Sequence, residues 1–143
     1  MIETIKYKKK ILAYLISINT KNNGLKFYTP PSLAHQVAFM KYKRNHIINP
    51  HIHFKRIRKN INITSEVLLI TKGRLRVDFY LSNKKYIFSK IISKNQILIL
   101  LDQGHGFKVL APLEMIELKQ GPYFKKIDKK LFLPIKEKSI KLK

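Results

Sequence analysis

Short runs of β-favouring residues, each closed by asparagine, glycine or proline, constrain the fold of this chain most. Ile11–Ile18 ends at a turn at positions 22–24, and Val37–Tyr42 is followed by Asn45. The run Gln96–Leu101 is almost wholly apolar, which is typical of a strand buried on both faces. Many short strands separated by such turns predict an all-β fold, an antiparallel sandwich or barrel.

The segment from Glu66 to Leu81 contains the clearest strand pattern. After Gly73 apolar and polar residues alternate, which is the period of a strand with one buried face. The pair Lys72-Gly73 predicts a turn, so we expect the whole segment to form a hairpin.

The length of 143 residues suits one domain with a sizeable core. We expect this domain to occupy residues 1–123, and the lysine-rich residues 124–143 to form a basic C-terminal extension with Leu131–Pro134 as its apolar anchor. Cysteine is absent, which excludes disulfides and thiolate metal sites. No run is long enough to span a membrane, and no cleavage site follows the apolar stretch near the N-terminus, so we expect a soluble, cytoplasmic protein.

A formal net charge of +22 is the usual signature of a protein that binds nucleic acid. Lysine accounts for 25 of the 30 basic residues and is accompanied by abundant isoleucine and asparagine. This combination is typical of codon bias in an AT-rich genome, which makes the whole surface basic. We therefore do not expect nucleic acid to be the partner.

Two histidines two residues apart, His51 and His53, form the first candidate functional pattern. Side chains two apart on a strand project from the same face, so both imidazoles could bind one ion. Without cysteine a metal must be held by nitrogen and oxygen ligands, and Glu66 and His105 are further candidates. Histidine with carboxylate suits Zn, Fe, Mn, Ni or Co, so the pattern predicts a divalent metal ion without fixing its identity.

The histidine pair belongs to a longer pattern, in which Glu66 follows and Gly73 comes after six further residues. This order resembles the first motif of the cupin family, which reads Gly, five residues, His-x-His, three or four residues, Glu, six residues, Gly. The chain departs from that motif in two places. Asn45 occupies the leading glycine position, and twelve residues separate His53 from Glu66.

A further similarity lies around His105, although most of the second cupin motif is missing there. The resemblance to small single-domain cupins, often encoded beside polysaccharide or sugar-nucleotide genes, is carried by Pro50–His53, Glu66–Leu68, Arg76–Tyr80, Gly104–Phe107 and Met115–Tyr123. It implies a cupin-type antiparallel β-barrel or jelly roll. It also implies a homodimer, and a metal held by His51, His53, Glu66 and His105.

From this resemblance we expect a metal-binding cupin that acts on a sugar or sugar nucleotide in polysaccharide biosynthesis, as an isomerase or epimerase. The sequence itself assigns no catalytic residue. One alternative is a metal-independent epimerase, in which His51 or His105 takes a proton and Tyr80 or Tyr123 returns it. Another alternative is a non-catalytic sugar-binding or regulatory protein.

Four polar residues are candidates for contacting the sugar. Glu117 and Lys119 share one face of a predicted strand by alternation, and that face could line the barrel. Tyr123 could close the mouth of the barrel. Arg58 could bind a phosphate through the two parallel hydrogen bonds that a guanidinium group offers.

Overall fold

The computed structural model describes residues 1–18, 23–51, 53, 64–121 and 129–143. These residues form an all-β fold that contains one short 3₁₀ helix, Glu137–Ser139, and no α-helix, which confirms the predicted class. The described residues contain no helix with the length and apolar character needed to cross a membrane. The strands are β1 (Ile2–Tyr7), β2 (Lys10–Ser17), β3 (Gly24–Phe27), β4 (Ala38–Lys41), β5 (Glu66–Tyr80), β6 (Tyr86–Ser93), β7 (Gln96–Leu100) and β8 (Gly104–Lys119).

Strand β5 is the centre of a six-stranded antiparallel sheet. Strands β6 and β7 follow each other along one edge of β5, and β8 pairs with nearly the whole of the other edge. Strand β2 pairs with β7 and β1 pairs with β2, whereas β3 and β4 form a separate two-stranded sheet. The large sheet curls strongly into a half-barrel, so residues from distant parts of its strands meet.

The hairpin predicted at Lys72-Gly73 is wrong, because β5 continues through both residues. Gly73 has a φ of +84°, and the register between β5 and β8 shifts around it. The glycine therefore bends the strand instead of reversing it. The carbonyl oxygen of Pro112 lies 2.0 Å from the position that a Cβ at Gly73 would occupy, so the bend leaves no room for a side chain.

Apolar side chains on one face of the curled sheet form the main core. Leu75, Val77 and Phe79 are buried at alternate positions of β5, as the predicted alternation required. The other face carries a smaller cluster. Its buried members are Tyr14, Ile16, Val67 and Ile99, and Tyr28, Leu33 and Val37 from the segment between β3 and β4 pack against them.

Residues 129–143, which we name the C-terminal strap, pack against β5 and β6. Leu142 forms a parallel bridge with Ser89, and the hydroxyl oxygen of Tyr80 accepts a hydrogen bond from the backbone N–H of Ile135 at 3.0 Å. Leu131, part of the predicted apolar anchor, is 84% exposed. Polar and backbone contacts therefore hold the strap more than apolar burial does. The division into a domain of residues 1–123 and an extension of residues 124–143 stays a prediction.

Replacing Gly73 with alanine is expected to lower the free energy of unfolding by about 2–4 kcal/mol, because positive φ and the contact with Pro112 both oppose a side chain. Gly24→Ala is the matched control. Gly24 also has a positive φ, but nothing lies within 4 Å of its Cβ position, so its loss should stay near 1 kcal/mol. Urea unfolding measures both variants, and equal losses would contradict the close approach of Pro112.

Candidate functional site

Glu66, His105 and Lys119 form a polar cluster at one end of the curled sheet. Glu66 begins β5 and pairs in register with Lys119 at the end of β8, whereas His105 lies near the start of β8, opposite Phe79. The curl of the sheet brings both ends of β8 to the same carboxylate. His105 Nε2 lies 3.0 Å from Glu66 Oε2, and Lys119 Nζ lies 3.5 Å from Glu66 Oε1.

The neighbours of Glu66 keep its carboxyl group ionised. The hydrogen bond from His105 is the main cause that lowers the pKa of Glu66; burial raises this pKa, and Lys119 lowers it further. The side chains of Glu66, His105 and Lys119 are only 16%, 24% and 19% exposed, so solvent screens these interactions only partly. The cluster therefore combines a stable hydrogen-bond acceptor with two donors.

The contact with Glu66 also determines how the imidazole of His105 is protonated. A carboxylate only accepts hydrogen bonds, so Nε2 carries the proton and donates it. Nδ1 of His105 is buried and has no hydrogen-bond partner in the part of the chain that the structure describes. With the proton on Nε2, Nδ1 of a neutral ring holds the lone pair and is a hydrogen-bond acceptor.

The cluster lines a cavity of about 810 Å³, a volume typical of sites for small molecules. Tyr80 and Phe132 add aromatic surface, with their rings 5.0 Å apart in an edge-to-face arrangement. Lysines at positions 84, 129 and 130 also line the cavity. Hydrogen-bond donors, an ionised acceptor and aromatic surface in one cavity suit a small ligand rich in hydroxyl groups.

Of the four predicted metal ligands, the structure brings Glu66 and His105 together. His51 and His53 lie outside the strands and are exposed, with ring centroids 5.1 Å apart. Nowhere in the described residues do three or more His, Asp or Glu side chains come together as they would to hold a metal ion. Neither the contact between Glu66 and His105 nor the neighbouring rings of His51 and His53 make a metal site by themselves. The four-ligand site stays a prediction.

Two of the four predicted sugar contacts lie in the described part of the chain. Lys119 belongs to the cluster. Glu117 pairs in register with the buried Leu68, but its own side chain is exposed and does not line the cavity. Arg58 and Tyr123 lie outside the described residues.

The sequence patterns did not predict a network of ion pairs that joins the buried Arg76 and Asp78 of β5 to the exposed Glu137 of the C-terminal strap. Arg76 donates hydrogen bonds to both carboxylate oxygens of Asp78, at 2.7 and 3.1 Å, and to both of Glu137, at 2.8 and 3.1 Å. Ser89 also donates to Asp78. Arg76 first, and then Lys108, lower the pKa of Glu137 to about 2. In the sequence, Arg76 and Asp78 alternate with the apolar residues Leu75, Val77 and Phe79, but nothing marks Glu137 as their partner.

Comparisons with protein-family models, curated proteins and solved structures give no match to this chain.

Proposed function

We propose that this protein is a cupin-type isomerase or epimerase that binds a sugar or sugar nucleotide at the Glu66–His105–Lys119 cluster. The contact between His105 and Glu66 beside a cavity of about 810 Å³ is the observation that carries the proposal. The curled half-barrel sheet supports a jelly-roll interpretation. A homodimer and a role in polysaccharide biosynthesis are part of the same proposal and come from the resemblance.

Isomerisation or epimerisation of a sugar at carbon begins with removal of a proton from that carbon. The proton is acidic enough only beside a carbonyl group, because the electron pair of the C–H bond then moves onto oxygen as an enolate. In the proposed step Nδ1 of His105 accepts the proton, and a proton later returns to carbon. Nδ1 is buried and has no hydrogen-bond partner among the described residues, and in the proposed step the ligand reaches it while Nε2 stays bound to Glu66.

The other residues of the cavity have distinct roles in this proposal. Glu66 stabilises the imidazolium that forms when His105 takes the proton. Burial is the main cause that raises the pKa of Tyr80, so its hydroxyl group stays protonated at neutral pH. Tyr80 lines the same cavity, and it accepts a hydrogen bond from Ile135, which leaves its own proton available to return to the sugar.

Binding without catalysis is the second candidate, and the lowered pKa of Glu66 favours it. A carboxylate with a low pKa is a weak base but remains a strong acceptor for sugar hydroxyl groups. In this version the cluster recognises a sugar, and the protein transmits that binding to a partner.

Deuterium incorporation from heavy water separates the two candidates. With a dTDP-linked 4-keto-6-deoxy sugar as the probe, the protein is expected to exchange the proton on carbon beside the carbonyl, measured by proton NMR against a protein-free reaction. Binding without exchange would support the second candidate. The absence of both binding and exchange would contradict both candidates. Repeating the reaction with a chelator tests the predicted metal, because a metal-independent reaction survives chelation.

A further inference from the structure

The proposed proton transfer does not explain the lysines of the cavity. Lys84, Lys129 and Lys130 line the same cavity as His105, and all three are exposed. None of them forms an ion pair with another residue of the described ranges. Within the described part of the chain, no acidic side chain neutralises their positive charges.

Two of these lysines, Lys129 and Lys130, begin the C-terminal strap. Contacts made by the residues that follow them fix the position of the strap. Phe132 packs edge-to-face on Tyr80, with ring centroids 5.0 Å apart, and the N–H of Ile135 donates to the Tyr80 hydroxyl oxygen at 3.0 Å. Glu137 then binds Arg76 at 2.8 Å and Lys108 at 2.8 Å. These contacts hold Lys129 and Lys130 beside the cavity as part of its wall.

The charges that line the cavity do not balance. Among the described residues that line it, four lysines face two carboxylates, Glu66 and Asp102, so these six side chains carry a net charge of +2. Glu66 is already bound by His105 and Lys119, and Asp102 accepts a hydrogen bond from Gln103 at 3.2 Å. The excess charge is equal and opposite to that of the diphosphate in a sugar nucleotide.

We propose that Lys84, Lys129 and Lys130 bind the phosphate groups of the ligand, which makes a phosphorylated sugar, with a diphosphate as in a sugar nucleotide, the substrate class. This inference rests on the proposed function, which has the sugar at Glu66 and His105. Ammonium groups bind phosphate as point charges, so three lysines around one opening can hold a diphosphate without a rigid geometry. The C-terminal strap then completes the binding site.

Calorimetric titration of the full-length protein tests this phosphate site with two probes, the dTDP-linked 4-keto-6-deoxy sugar and inorganic pyrophosphate. The variant Lys129→Gln with Lys130→Gln is expected to bind each probe about tenfold or more weakly at a fixed salt concentration. The control variant Lys6→Gln with Lys9→Gln removes the same charge from exposed positions that do not line the cavity, and it should bind both probes as the unmodified protein does.

Glu66→Gln separates the phosphate site from the proposed function. It removes the carboxylate that meets the sugar, so it should weaken binding of the sugar nucleotide. It also removes one negative charge from the cavity, so pyrophosphate should bind at least as tightly as it does to the unmodified protein. Equal losses in the two lysine variants, or no loss in either, would overturn the phosphate site. If the Lys129 and Lys130 changes weaken both probes but Glu66→Gln weakens neither, the phosphate site stands and the proposed function falls.

Discussion

Replacing Arg76 with methionine is expected to lower the free energy of unfolding by about 3–5 kcal/mol. The side chains of Arg76 and Asp78 are only 7% and 4% exposed, and Arg76 binds both oxygens of that carboxylate. Methionine fills most of the volume but leaves Asp78 as a buried charge, with a hydrogen bond from Ser89 as its remaining described contact. It also removes the anchor of Glu137 and so loosens the strap.

Urea unfolding at neutral pH measures this loss under conditions in which Glu137 is ionised, since its pKa lies at about 2. Arg74→Met is the matched control. Arg74 lies two residues earlier on β5 but is exposed, so its change should stay within about 0.5 kcal/mol. Combining Arg76→Met with Asp78→Leu removes both charges and should recover part of the stability. Similar losses in Arg76→Met and Arg74→Met would show that the ion pair does not stabilise the fold.

Replacing His105 with glutamine is expected to reduce the rate of deuterium incorporation about 10²- to 10⁴-fold, the usual contribution of a general base. Glutamine keeps a hydrogen-bond donor for Glu66 but cannot accept the proton from carbon. Binding of the probe should change much less than the rate, because Glu66 and Lys119 remain.

His53→Gln is the matched control for this prediction, because it makes the same substitution at an exposed histidine that does not line the cavity. The proposed mechanism predicts an unchanged exchange rate for this variant. If His53→Gln and His105→Gln reduced the rate equally, the two histidines would act in one site, as the predicted four-ligand metal centre requires.

The sequence allowed the fold class and the inward faces of individual strands to be predicted. Leu75, Val77 and Phe79 alternate with polar residues because one face of β5 is buried, and this pattern is local. Local sequence gave a wrong prediction at Gly73, where the pair Lys72-Gly73 was interpreted as a turn. A glycine with positive φ serves a turn and a strand bend equally well, and only the long pairing of β5 with β8 distinguishes them.

The candidate site depended on contacts that no local pattern contains. Glu66 and His105 were each predicted as site residues from the resemblance, but their contact arises from the curl of the whole sheet. The bond between Arg76 and Glu137 joins residues 61 positions apart, and the spacing of charges along the chain gave no sign of it. Alternation predicted that Glu117 and Lys119 share a face, but not that only Lys119 reaches the cavity.

Nitrogen-15 NMR of the histidine side chains tests the central claim most directly, because the chain has only five histidines and each ring reports on its own surroundings. On addition of the dTDP-linked 4-keto-6-deoxy sugar, we expect the ring nitrogens of His105 to shift and those of His51 and His53 to stay where they were. Shifts at His51 and His53 with His105 unchanged would contradict the assignment of the site to the Glu66–His105–Lys119 cluster.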